Sequence, residues 1–520
     1  MSFHEFSHPG EGIRVDVESA LAALRDKRYE DVLAITKTLE ALGEGDHRTC
    51  NARREALMKM GELYKSLGEL GRLRALERRG DLDRQARRLL GRIIESDVRW
   101  LPRSPELAAP PRSRPGRILH ILKESLPYVE TGFTMRSRMT LAAQRECGYD
   151  PHAVTSLGFP RTKGFDGVPA QEDVDGSPHY RIDLPNARSP NELPFDRSLE
   201  LQMPLISSVA QEVEPALIQA GTGYRGFETA LMGIALAAQR NVPLIYEVRG
   251  FQEQTWTSDV SRSEQGEYFR RRWGQENRCM QQADAVITIA GAMAAEIVDR
   301  GIPESKVTVV PNAVDTDRFS PREKSQALID RYCLESRFVV GYISNLGARE
   351  GIDVLIRAIS LLRSQGSDLK CLIVGRGPES ERLEELIRDL DLLDYVVLTG
   401  HVPNEAIEDH YALMDLFVVP RIDDRASRLV TPLKPLEAMS MRLPIVASAL
   451  PALEELVAPG ERGLTFEPEN SIALADAITT VVDNAGLREG YAEAGHRWVQ
   501  EHRTVHSNAL RYRQILGSLS

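Results

Sequence analysis

The chain has 520 residues, which at roughly 150 per domain sets an expectation of three to four domains. Lys and Arg total 65 against 76 Asp and Glu, a formal net charge of −11, with 42% hydrophobic and 27% charged residues. This balance excludes a mainly disordered or fibrous chain and argues against a general nucleic-acid binder. Mean hydropathy is −0.30, and no apolar run reaches the length of about 18 residues needed to cross a membrane. The opening MSFHEFSHPGEG lacks the basic and apolar regions of a signal peptide. Cys50, Cys147, Cys279, Cys333 and Cys371 are scattered without a CxxC pair, as free thiols in a reducing compartment would be. A cytoplasmic location is expected.

Residues 1–115 have helical texture, with apolar side chains three and four apart, as in Leu73, Leu76, Leu82, Ala86, Leu89, Ile93 and Ile94. Two or three helical hairpins are predicted, without a clean tetratricopeptide period. A single helix over 72–92 carries eight arginines against Glu77, Asp81 and Asp83. It reads as a charged face or partner surface, with self-association as one use and contact with an anionic membrane as the alternative. The segment 102–116, PRSPELAAPPRSRPG, reads as a linker because its prolines exclude a continuing helix.

From 117 onward short apolar runs alternate with amphipathic helices. RILHILKES, HAVTSLG, PALIQAG, PLIYEV, AVITIA and KVTVVPN are predicted strands of one parallel sheet. FVVGYIS, KCLIVGRG, YVVLTGHV, DLFVVP, PIVAS and LTFEP form a second set after a break near Pro321–Cys333. The expected fold is α/β, two doubly wound Rossmann-like domains facing a cleft, plus an all-α N-terminal extension. The divisions are 1–115, a first Rossmann-like domain over 116–322, a second over 323–495, and a C-terminal helix in 496–520 packing back on the first. The polar stretch 161–197 reads as a surface excursion near the strand ends.

The segment RIDDRASRLVTPLKPLEAMSMRLPIVAS (421–448) runs from a strand through a basic loop into a helix. Amides at a helix start can hold a diphosphate, with Arg425, Arg428 and Lys434 neutralising it. Glu437, one turn further, can reach a ribose diol.

The ordered set ADAVITIAGAMAAEIVDRGIPESKVTVVPNAVDTDRF, VVGYISNLGAREGIDVLIRAI, CLIVGRGPESERLEEL, VVLTGHVPNEAIEDHYALMDLFVVP and PLKPLEAMSMRLPIVASALPALEELV resembles the family 4 glycosyltransferases of the GT-B fold. TGFTMRSR and PLIYEVRGFQE resemble the first lobe of one subfamily. The resemblance implies retaining transfer of a sugar from a UDP- or GDP-linked donor to a nucleophile of an acceptor. That acceptor is a saccharide, a lipid-linked saccharide or a small metabolite, and a peripheral position at the inner membrane face is the alternative to a freely cytoplasmic one. The catalytic demand is then charge stabilisation on the departing β-phosphate.

Carried over, Thr131, Gly132 and Phe133 match the loop whose amides approach the donor phosphate. Glu437 matches the ribose contact, and Arg376 borders the base or diphosphate. Thr431, Pro435 and Leu436 complete the expected donor set, Asn312 matches a hinge position, and Lys434 and Arg249 join Glu437 as the catalytic candidates. Leu429 stands where relatives carry a glutamate, and Asn345 and Glu350 replace their usual basic pair. Lys434 with Arg425 or Arg428 is expected to substitute, Arg349 being weaker. Arg249 stands where a histidine is common and cannot act as a base. Asp173-Val174-Asp175 and Asp315-Thr316-Asp317 read DxD but lie in turn contexts, so no metal is expected. The alternatives are a catalytically silent GT-B scaffold working through the extension and a nucleotide-sugar epimerase.

Overall fold

The computed structural model describes residues 15–77, 80–107, 109–184 and 192–519. The start read for a leader, Arg78 and Arg79 of the basic stretch, Ala108 of the proline-rich segment, and 185–191 of the polar excursion lie outside them. The chain divides into two compact units, 1–128 with 151–286, and 129–150 with 287–520.

The first unit begins with five helices, Val17–Arg25, Tyr29–Ala41, His47–Lys59, Leu63–Leu76 and Gly80–Glu95. Asp16 and Asp46 cap the first and third by accepting from Ser19 N and Thr49 N. The single helix expected over 72–92 is corrected: one helix ends at Leu76 and another starts at Gly80. Leu63, Leu70, Leu73, Leu82, Leu89 and Ile93 form one cluster with Tyr268 of the helix Gly266–Gln282. Each such burial is worth about 1.5–3 kcal/mol, so the extension shares its core with the rest of the unit.

Several arginines of the basic stretch are engaged within the chain. Arg87 pairs with Asp196 at 2.9 Å, Arg88 donates to Glu192 O, and the Arg92 guanidinium lies 5.6 Å from the Phe195 ring. These partners open the helix Phe195–Val213. Gly91 permits the contact, because a Cβ there would stand 2.7 Å from both Asp196 Oδ1 and Pro194 Cβ. The proline-rich segment is also anchored, with Ser104 Oγ donating to Ala235 O at 3.0 Å and Gln239 Nε2 to Pro105 O at 2.6 Å.

The first sheet contains β1 (Arg114–Leu122), β2 (Asp150–Thr155), β3 (Gln171–Val174), β4 (Ser177–Tyr180), β5 (Pro215–Gly221), β6 (Leu244–Val248), β7 (Ala285–Thr288) and β8 (Val307–Val309). Its order is β3-β4-β2-β1-β5-β6-β7-β8. The six predicted strands are present. The polar excursion adds what the sequence did not suggest, an antiparallel β3–β4 hairpin whose second strand pairs parallel with β2.

The second unit holds a six-stranded sheet of β9 (Phe338–Ile343), β10 (Leu369–Val374), β11 (Val396–Leu398), β12 (Leu416–Val419), β13 (Ile445–Ser448) and β14 (Gly463–Phe466). The order β11-β10-β9-β12-β13-β14 is parallel throughout. Strands buried on both faces read as uninterrupted apolar runs, which is why LFVV and IVAS were legible. The helix Val505–Leu519 packs on the helix Gly132–Glu146, which belongs to the same unit. Asn508 Nδ2 adds a bond to Pro311 O at 2.9 Å, and the buried Arg136 guanidinium donates to the same carbonyl.

Candidate functional site

A cavity of about 620 Å³ lies in the second unit. Loops at the carboxyl ends of β9 and β10 contribute Ser344, Asn345, Gly375 and Arg376. Residues after β11 contribute His401 and Asn404, the first turn of Gly132–Glu146 contributes Gly132 beside Thr131, and the 421–448 segment contributes Leu433, Lys434 and Glu437. This is where a doubly wound sheet holds ligands.

The local sequence explains the placement. Gly375 has φ +132°, and a Cβ on it would lie 1.9 Å from Ser344 O. Only glycine lets the ends of β9 and β10 pass so closely, and the passage delivers Arg376 to the cavity. Thr131 accepts from Thr134 N, and the Thr134 hydroxyl accepts from Thr131 N, a reciprocal cap. The following Gly132 amide is one that a helix leaves without an intrahelical acceptor. A Cβ at 132 would meet only Leu433 Cδ1, at 3.9 Å. Internal packing therefore does not demand glycine there, and the free space opens on the cavity. Phe133 itself is not among the lining side chains.

Three cations line the cavity. Arg318 is neutralised by Glu408 and also donates to Asn404 O at 2.6 Å. Arg376 and Lys434 have no carboxylate partner among the described residues. Glu437 Oε2 accepts from the Tyr411 hydroxyl at 2.7 Å. Burial, then Glu437, pushes the Tyr411 hydroxyl far above its ordinary pKa, so it stays a proton donor. Tyr411 is a component that sequence reasoning missed.

The 421–448 segment departs from expectation in two ways. Arg425 pairs with Glu296 and Arg428 with Asp423, and neither lines the cavity. The helix Lys434–Ser440 offers few amides at its start. Pro435 has none, and Leu436 N and Glu437 N already donate to Leu433 O at 2.9 and 3.1 Å. The Leu436 side chain is fully buried in the core, Pro435 is buried, and Thr431 is buried with its carbonyl accepting from Asn312 Nδ2 at 2.9 Å. The structure gathers Thr131, Gly132, Arg376, Lys434 and Glu437 in one cavity and leaves Phe133, Arg425, Arg428, Thr431, Pro435 and Leu436 outside its lining.

At the replaced basic pair, Asn345 lines the cavity and Glu350 does not. Glu350 accepts from Tyr342 and from Arg421, whose Nη2 lies 3.2 Å away. Burial alone would lower the pKa of Arg421, but Glu350 more than offsets it and the pKa rises. Arg349 is bound to Asp424 at 2.7 Å, and Leu429 ends a short helix away from the cavity. In the first unit, Arg249 is buried after β6, donating to Glu247 Oε2 at 2.7 Å and to Thr222 Oγ1 through its amide at 2.8 Å. The two DxD sequences serve turns, with Asp173 Oδ1 accepting from Gly176 N and Asp315 Oδ1 from Arg318 N.

Solved structures share this architecture. Sucrose-phosphate synthase from Thermosynechococcus elongatus superposes with a TM-score of 0.61 at 20% identity, covering 77% of this chain and all of that one. Anabaena Alr3699/HepE in complex with UDP-glucose gives 0.58 at 18%, covering 78% and 100%. The fold is that of the GT-B class, two Rossmann-like domains, here with an N-terminal helical region.

Two family models match in order, the glycosyl transferase 4-like domain over 131–313 and glycosyl transferases group 1 over 337–484. The chain belongs to the group 1, family 4-like glycosyltransferases. A GDP-mannose-dependent alpha-(1-6)-phosphatidylinositol monomannoside mannosyltransferase of Mycolicibacterium smegmatis (strain ATCC 700084 / mc(2)155) is 29% identical over 242 residues, 45% of this chain and 62% of the relative. An alpha-D-kanosaminyltransferase of Streptomyces kanamyceticus is 32% identical over 166 residues, 32% of this chain and 42% of the relative. The matches thus span less than two thirds of these relatives' lengths. Among the described residues no helix is long and apolar enough to cross a membrane.

Proposed function

We propose that this protein transfers a sugar from a nucleotide-diphosphate sugar to an acceptor hydroxyl, with retention at the anomeric carbon. The observation that carries this reading is the cavity in which Lys434 and Arg376, both without carboxylate partners among the described residues, face Gly132 and Glu437. The cations bind the diphosphate, and the Gly132 amide at the start of its helix adds a dipole to the same charge. As the glycosidic bond breaks, negative charge grows on the β-phosphate, and fixed cations stabilise that change without reorganising. Glu437, oriented by Tyr411, accepts from the ribose hydroxyls. Deprotonation of the acceptor falls to the departing phosphate on the same face, a route that needs no hydrolase-like carboxylate pair. Side-chain cations carry the phosphate charge, so the reaction is proposed to be metal-independent; a cytoplasmic location is proposed separately, on the scattered cysteines.

The relatives' names favour GDP-mannose and UDP-sugars as first donors to try. The test incubates the full chain with a panel of GDP- and UDP-sugars, with and without glycoside acceptors, in buffer containing EDTA. Slow acceptor-free release of nucleoside diphosphate, accelerated by an acceptor, is the expected result. Absence of binding across the panel would overturn the proposal, and conversion of the donor sugar without transfer would make it an epimerase.

A further inference from the structure

The helical extension reaches the carboxyl end of β5 through one residue. Glu95 closes the helix Gly80–Glu95, and its carboxylate is 1% exposed. It accepts from Arg225 Nε at 3.0 and 2.9 Å and also from Nη2, a two-pronged clamp. Arg225 lies in the loop 222–227 between β5 and the helix Glu228–Arg240. Its guanidinium sits 4.1 Å from the Phe195 ring. Its amide donates to both oxygens of Glu228 at 3.0 Å, and its carbonyl accepts from Arg272 at 2.9 Å. The Nε, Nη2, amide and carbonyl of Arg225 are thereby fixed, and the inner side of the loop cannot move without leaving a buried charge unpaired.

The outer side of the same loop presents Tyr224, a residue 44% exposed. The Tyr224 hydroxyl donates to Glu124 Oε2 at 3.1 Å, and Lys163 pairs with the same carboxylate at 3.2 Å. The ammonium groups of Lys123 and Lys163 stand 5.3 and 5.7 Å from the ring centroid. Glu124 and Lys123 follow β1, so the cluster stands at the carboxyl ends of β1 and β5, where a doubly wound sheet receives ligands. A partly exposed aromatic ring with ammonium groups over it and a carboxylate at its hydroxyl suits a pyranose: the uncovered part of the ring meets C–H groups, and the charged groups bond hydroxyls.

We infer that Tyr224, Glu124 and Lys163 form an acceptor subsite for a pyranose, and that Glu95 of the extension is the positioning residue that holds it. The inference rests on the proposed sugar transfer, since only a transferase needs an acceptor subsite. It gives the extension a task inside its own unit.

The experiment uses the full chain with Glu95→Gln and Tyr224→Ala. Three readouts are taken: acceptor-free donor hydrolysis, rate against concentration of methyl glucosides, mannosides and galactosides, and hydrogen exchange of the amides 222–228. Glu95→Gln is expected to raise loop exchange and glycoside KM at least tenfold while donor hydrolysis stays within twofold. Tyr224→Ala, a surface change, is expected to raise glycoside KM at least tenfold and decides the matter should Glu95→Gln fail to fold. The inference is overturned if wild type turns over donor but no glycoside saturates it, or if KM is unmoved in the folded variants. If wild type neither binds nor turns over any donor, the transferase reading fails, and loop exchange alone then judges the Glu95 clamp.

Discussion

Tyr411 donates its hydroxyl proton to Glu437 across 2.7 Å, from a ring that is completely buried. The ring is held edge-on to Phe319 at 5.9 Å and tilted to Phe417 at 5.6 Å. Glu437 therefore enters the cavity with one oxygen already oriented. Tyr411→Phe keeps the packing and removes that bond together with a longer one of 3.4 Å to Lys434 O; a bond to a charged acceptor is worth about 1.5 kcal/mol or more. Donor KM should rise roughly tenfold with little change in Tm, as read by initial rates and thermal melting.

Arg376 and the cations of the 421–448 segment should separate by mutation. Lys434→Ala should lower turnover by roughly 10²–10³, the scale of losing one preorganised contact to developing charge. Arg376→Ala should lower it in the same direction, whereas Arg428→Ala, whose guanidinium is committed to Asp423 at the surface, should stay within about twofold, as surface ion pairs contribute little. Release of nucleoside diphosphate by each purified variant is the measurement. Equal loss in all three would show that Arg428 reaches the donor.

Thiol chemistry tests the packing independently. Cys333 is exposed, whereas Cys50, Cys279 and Cys371 are buried, and burial with a contact to Glu69 pushes the Cys50 thiol up to about 12. A thiolate is the reactive form. An aromatic disulfide reagent at neutral pH should modify one thiol rapidly, and Cys333→Ser should abolish that phase.

His179 in β4 gives the edge hairpin an acid-sensitive point. Burial lowers its pKa to about 4, although Nδ1 lies 2.9 Å from Ser177 O. The unfolded chain, with an ordinary histidine near 6.5, binds the proton more readily. The contribution is complete above pH about 6.5 and is lost as pH falls toward about 4, at up to roughly 3 kcal/mol. His179→Gln should flatten the dependence of Tm on pH across that window.

The strands of both sheets were legible because parallel strands buried on two faces leave unbroken apolar runs such as CLIV and LFVV. The β3–β4 hairpin was not, since QEDV and SPHY look like loop, and only pairing with β2 makes them strand. At the site, Gly132, Arg376, Lys434 and Glu437 were readable from motif position. The fate of Arg425 and Arg428 was not, because a sequence displays charge without its counter-charge, and Glu296 lies 129 residues from Arg425. Tyr411 stands 26 residues before Glu437 and carried no local signal. The amide supply at Lys434–Ser440 was overestimated although Pro435 was in plain view, because the bonds of the next two amides depend on the turn at Leu433.

The contact between Val505–Leu519 and Gly132–Glu146 ties the cavity to a helix remote from it in sequence. Residue 132 and residue 508 are some 376 positions apart, yet Arg136 and Asn508 grip one carbonyl, that of Pro311. On the proposed reading, removing Val505–Leu519 is expected to weaken nucleotide affinity, as read by a donor titration, and not merely to strip a surface helix. A protease nick or frameshift there would present as a binding-site defect, although every cavity side chain would still be encoded.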